Sequence, residues 1–201
     1  MKTKLPAGML ICASMVTAAL SAVGEDKSFD DFFQRGRFEA TLTSGALFSP
    51  FIAIKNRPVI NYSLSEVQLG YMLTDVNHAG WFKGNLELVG EGFAGAVFEG
   101  RGSYISGITA WLRYNFVPEN WRLVPFAQAG MGLTFTDANK IVVGETFNFN
   151  LELGAGVRYF VSQNWSVNLE YRYQHISNAN ISRNNLGINA HGPMLGVSYF
   201  F

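Results

Sequence analysis

The chain has 201 residues, with 15 Lys+Arg against 15 Asp+Glu, 48% hydrophobic side chains and only 15% charged ones. Charged residues make up about 25% of an ordinary soluble domain, so this chain carries too little charge for a wholly water-exposed surface, and too many apolar residues for disorder. Its balanced charge also lacks the basic footprint of a nucleic-acid binder.

Lys2 and Lys4 precede an uncharged run from Leu5 to Ala22, and Ala22-Val23-Gly24 forms a small-x-small cleavage site before Glu25. Residues 1–24 therefore read as a secretory signal peptide. Removing it takes away Cys12, the one cysteine, so no disulfide or thiol chemistry is expected. Ile11 argues against lipid attachment at Cys12, which needs a small residue before it. Residues 25–37 read as a periplasmic segment in which Phe29, Phe32 and Phe33 form either a short amphipathic turn or a loose tail.

After residue 24 no run of about 18 apolar residues remains, so no helix spans a bilayer. The apolar residues alternate instead. From Phe147 to Tyr159 the odd positions are Phe147, Phe149, Leu151, Leu153, Ala155, Val157 and Tyr159, between Asn148, Asn150, Glu152, Gly154, Gly156 and Arg158. This is period two, held for longer than the usual strand of about 5 to 6 residues; a tilted membrane strand needs about 9 to 11. Leu123 to Phe135 and Trp165 to Tyr173 alternate in the same way.

Phe38, Trp81, Trp121 and Trp165 each open an alternating run, at spacings of 43, 40 and 44 residues. Each repeat reads as one hairpin, which predicts an all-β, eight-stranded antiparallel transmembrane β-barrel over residues 38–201. The strands are expected at 38–49, 59–73, 82–95, 103–116, 122–135, 146–160, 165–176 and 190–201. Short turns in such barrels lie on the periplasmic side and longer loops outside. Asp75 to Gly80, Pro118 to Asn120 and Ser162 to Asn164 are the short turns, with the tryptophans beside them as the inner aromatic girdle. The outer loops fall near 50–58, 96–102, 136–145 and 177–189. Glu87, Glu91, Arg113, Gln128, Glu152, Arg158, Asn168, Glu170, Arg172 and Gln174 have the opposite parity and are expected to fill the lumen. An eight-stranded interior is just wide enough for side chains, so a diffusion pore is disfavoured and function belongs to the outer wall or the loops.

No G-x-S-x-G, H-E-x-x-H, P-loop or metal-ligand spacing occurs, and no metal or cofactor is expected. His78 reads as a solvated turn residue. His175 is different, because it shares the parity of Trp165, Leu169 and Tyr173 and so faces lipid. Ser177 lies two residues on, about 6.6 Å away along the same strand face. Asn189 and His191 share the lipid-facing parity of Leu195, Val197 and Tyr199. Since β-strands seven and eight run out and back, these four polar residues are expected together at the outer rim. Parity alone leaves open a bland reading, in which they are ordinary interfacial polar residues.

The end of the chain, with Leu195, Val197, Tyr199 and a final Phe201, resembles the terminal-strand signal by which the barrel-insertion machinery of the bacterial outer membrane reads its substrates. His175-Ile176-Ser177-Asn178-Ala179, after Tyr171-Arg172-Tyr173 and before Asn185-Leu186-Gly187-Ile188-Asn189, resembles the lipid A 3-O-deacylase family of outer-membrane acyl hydrolases. What the resemblance implies is a serine esterase that removes the acyl chain at position 3 of lipid A, with the site facing the outer leaflet. Ser177 matches the family's nucleophile, His175 its general base and Asn178 its oxyanion residue. The family's third member is a glutamate that orients the histidine, and aligning on Gly187-Ile188 places Asn189 there. No Asp or Glu follows Glu170. An amide oxygen can still hold the imidazole tautomer, as Cys-His-Asn variants on other folds do.

The expected partners are lipopolysaccharide, other outer-membrane lipids and the insertion machinery. Lys55, Arg57, Arg101, Lys140 and Arg183 lie in the outer loops, either as contacts to lipid A phosphates or as solvated loop charges. The alternative function is a non-enzymatic small barrel with an adhesive or envelope-structuring role.

Overall fold

Alternation over lengths of ten residues or more leaves each strand with one apolar and one polar face, and closure is the arrangement that buries the polar faces without leaving a free edge. The computed structural model describes residues 29–49, 59–77, 80–119, 122–138 and 142–201, and within them the sheet is a closed antiparallel barrel of eight strands in sequential order. These are β1 (Phe38–Leu47), β2 (Asn61–Met72), β3 (Gly84–Glu99), β4 (Tyr104–Phe116), β5 (Leu123–Thr136), β6 (Phe147–Phe160), β7 (Trp165–Ser177) and β8 (Ile188–Phe200). The barrel closes through β1 and β8, with Glu39 opposite Phe200 and Gly45 opposite Met194.

The end of β3 lies four residues beyond expectation and the other strand ends lie within two. β3 runs on to Glu99 because Asn61 and Tyr62 pair with Glu99 and Val97 across a register shift, which turns most of the expected loop at 96–102 into strand. β8 begins at Ile188, because Ile188 and Asn189 pair with Ile176 and His175. The signal segment, the loop at 50–58, His78, Trp121 and Lys140 lie outside the described residues.

The lumen is filled, as the parity predicted. Near the short-turn end Arg158 pairs with Glu39 at 2.9 Å and Glu87 at 3.4 Å, and Arg113 with the same two carboxylates at 3.5 and 3.4 Å. Further up, Arg172 meets Glu66, Glu91, Glu152 and Glu170 and lies 4.7 Å over the Trp111 ring. Apolar clusters close both ends. Phe32, Phe33, Phe160 and Phe200 belong to one; Tyr62, Val142, Val143, Ile176 and Ile188 belong to the other.

The segment before β1 takes the first of its two expected forms. Phe29–Phe33 is a short 3-10 helix that places Phe32 and Phe33 in the short-turn mouth. Asn85 donates to the Phe33 carbonyl at 2.7 Å, and Lys83 pairs with Asp30 at 2.7 Å. Outside the barrel Trp81 is 98% exposed beside Phe82, which suits an aromatic belt at a membrane interface. At the other end the Asp137 carboxylate accepts the backbone N–H groups of Ser103 and Tyr104 at 2.7 and 3.0 Å. These bonds favour the ionised form and hold its carboxyl below the usual range.

Candidate active site

Strand pairing decides which polar residues meet. β7 and β8 are antiparallel, and their register sets His175 opposite Asn189 and Tyr173 opposite His191. His175 Nδ1 donates to Asn189 Oδ1 at 2.5 Å, and the Tyr173 hydroxyl donates to the same oxygen at 3.0 Å. An amide oxygen only accepts, so this bond keeps the imidazole proton on Nδ1 and leaves Nε2 as the basic nitrogen. Tyr173 is a residue the sequence reading had counted only as part of the apolar wall.

Ser177 is the last residue of β7, on the face of His175. Its hydroxyl makes no hydrogen bond to His175 among the described residues; catalytic hydrogen bonds are often long before substrate is bound. Gly187, at φ +69°, closes the floor between them: a Cβ there would lie 3.1 Å from Ile176 O, 3.2 Å from His175 Cε1 and 3.7 Å from Ser177 Cβ. A side chain there would strain the left-handed backbone and make Ile176 O and the His175 ring give way by a few tenths of an ångström.

His191 is held in a second pair, by the Tyr171 hydroxyl at its Nδ1, and is not the partner of His175. Asn178 is fully buried. Its Nδ2 donates to Val143 O at 2.7 Å and to Asn184 O at 3.0 Å. With both amide hydrogens spent, its side chain has no donor left for an oxyanion, which departs from the role the resemblance implied.

His175 also lines a cleft of about 680 Å³ on the outer wall, with Tyr173, Leu151, Met131, Ala129 and Ala110. Cross-strand partners run from His175 through Leu151 and Met131 to Ala110. At about 4.8 Å between strands this row spans roughly 14 Å, and it descends from the end of β7 to the middle of β4. Ala110 and Ala129 open the cleft because their neighbours on the same face are Leu112 and Met131. Small residues at lipid-facing parity in adjacent strands were the signal for it in the sequence.

The family profile described as "Lipid A 3-O-deacylase (PagL)" matches residues 65–198. The chain belongs to this family. The matched span begins in β2 and includes the whole of β7 and most of β8. No curated protein sequence matches the chain.

Among solved structures, the crystal structure of the outer membrane enzyme PagL aligns with a TM-score of 0.57 at 18% identity, covering 79% of this chain and 98% of that one. Neisserial surface protein A aligns with a TM-score of 0.58 at 17% identity, covering 83% and 97%. The N-terminal β-barrel domain of Pseudomonas aeruginosa OprF aligns at 0.51 and 18% identity, covering 83% and 98%. At these identities the likeness is one of fold, that of an eight-stranded outer-membrane barrel. The PagL family member therefore shares its architecture with barrels of other names.

Proposed function

We propose that this protein is a serine esterase of the bacterial outer membrane that hydrolyses the 3-O-linked acyl chain of lipid A. The observation that carries the reading is the His175–Asn189 hydrogen bond on the lipid-facing wall, with Ser177 on the same face and an apolar cleft leading away from the pair. Held by Asn189 at Nδ1, the imidazole keeps Nε2 as its basic nitrogen, which is what a general base for a neighbouring hydroxyl requires.

In this reading His175 Nε2 removes the proton of Ser177 Oγ as the hydroxyl attacks the ester carbonyl, and Asn189 holds the ring in the reactive tautomer. The imidazolium then protonates the departing sugar oxygen, and water releases the acyl group by the same steps. The tetrahedral oxyanion needs preorganised donors. In this reading they are the backbone N–H groups of Ala179 and Asn180 in the turn after Ser177, which hold φ of 52° and 64°, since the Asn178 N–H is bonded to Asn185 Oδ1. The ester of lipid A sits between sugar and acyl chains. A site at the outer end of β7 meets that depth in the outer leaflet, and the cleft toward Ala110 receives the chain.

The test is mass spectrometry of lipid A from cells carrying the wild-type protein, Ser177→Ala or His175→Ala. Wild type removes one 3-linked hydroxyacyl chain. Each variant lowers the rate by about 10³-fold or more while still migrating as a folded barrel. Full deacylation by purified Ser177→Ala would refute the nucleophile.

A further inference from the structure

The connection between β5 and β6 reaches two places at once. Ala138, Val142 and Val143 are buried in the apolar cap over the lumen. The backbone of the same stretch is bonded to the turn that follows Ser177: Val143 O accepts Asn178 Nδ2 at 2.7 Å, and Val142 O accepts the Gly187 N–H at 2.9 Å. Asn178 also donates its second amide hydrogen to Asn184 O at 3.0 Å and its backbone N–H to Asn185 Oδ1 at 3.1 Å.

A carboxamide facing two carbonyls has one acceptable orientation, with nitrogen toward both; the reverse would set oxygen against oxygen. We propose that Asn178 is a positioning residue, a strut by which the capping loop between β5 and β6 fixes the turn that follows Ser177 at the end of β7. This rests on the esterase reading above. Asn178 is fully buried beneath the turn, so its contacts belong to the scaffold. Gly144 makes the approach possible. It sits at φ +72°, and a Cβ on it would lie 2.3 Å from Asn184 O and 2.6 Å from Asn178 Nδ2. The loop thereby couples two tasks, closing the mouth of the barrel and holding the nucleophile in line with His175.

The test is a double-mutant cycle on the full-length barrel with Asn178→Ala and Gly144→Ala, read in kcat, KM and the urea midpoint of the folded form. A strut predicts that each single variant lowers kcat by about 10- to 100-fold, the cost of misplacing a reacting group by about 1 Å, with KM within about twofold. It also predicts a lower midpoint for each, and a double variant no worse than the poorer single one, because both remove the same brace. Independent, multiplicative losses, or a kcat loss in Asn178→Ala with an unchanged midpoint, would overturn the strut and return Asn178 to a direct role. If Gly144→Ala does not assemble, Asn185→Ala takes its place, since Asn185 braces the Asn178 backbone. A wild-type barrel inactive on lipid A whose variants stay coupled in the midpoint removes the esterase reading alone; an active enzyme with uncoupled variants removes the strut alone.

Discussion

At His175 the chemistry depends on which ring nitrogen holds the proton, and Asn189 decides it. A carboxylate in that position would accept the Nδ1–H hydrogen bond at either oxygen and would also stabilise the imidazolium; an amide does only the first, and only with its oxygen turned inward. Tyr173, donating to the same oxygen at 3.0 Å, gives the amide a second anchor. Asn189→Leu is expected to lower the deacylation rate roughly 10²-fold, within the range that general-base catalysis supplies, whereas Asn189→Glu should match or exceed wild type. Initial rates on purified lipopolysaccharide decide between them. Gly187 gives a second test in the same assay. An alanine there costs about 1 to 2 kcal/mol in left-handed backbone and pushes its methyl toward His175 Cε1, so Gly187→Ala should lose about tenfold in rate through a displaced ring while the barrel remains folded.

Among the elements, the short helix before β1 fills one mouth of the barrel with its own side chains. Phe33 is fully buried, meets Phe200 and Phe160 at ring-centroid distances of 5.5 and 6.0 Å, and lies under Arg158. The helix can seat only once β8 has brought Phe200 beside β1, so it acts as a latch on the closed barrel. Phe33→Ala should destabilise the folded form by about 3 kcal/mol, measured as a fall in the urea midpoint by heat-modifiable gel migration. Phe82→Ala, whose ring is on the outer surface, should leave lumen packing alone. The β5–β6 connection is the counterpart at the other mouth, and there the capping segment also touches the site.

Across the whole molecule, the polar lumen is a specification as much as a source of stability. Buried ion pairs recover in attraction little more than the desolvation they cost, but removing one partner strands the other. Arg158→Ala would leave Glu39 and Glu87 with Arg113 alone, at a cost of about 3 to 5 kcal/mol. Adding Glu39→Gln alone to that variant should recover part of the loss in the same urea titration, because one carboxylate, Glu87, then remains for the one cation, Arg113. The rows of glutamate and arginine on one parity also fix the strand register, since a slip of one residue would turn them all into lipid.

Strand number, the lumen parity of Glu87, Glu91, Arg113, Glu152, Arg158, Glu170 and Arg172, and the shared face of His175 and Ser177 were legible in the chain, because period two is a local property and a residue shares a face with its neighbours two positions away. The meeting of His175 with Asn189 was legible in part: the parity of β8 gave the face, and the partner followed from an alignment on Gly187-Ile188. The burial of Asn178, the bonds from Val142 and Val143 to the turn after Ser177, and the Tyr171–His191 pair that leaves His175 to Asn189 were not. Each joins residues tens of positions apart or depends on the side-chain direction at the end of a strand, where alternation stops. Sequence alone determined the barrel and which wall bears the polar group. Tertiary structure decided the hydrogen bonds, because a donor chooses its acceptor by distance in space, and spacing along the chain does not encode the return of a loop onto a turn.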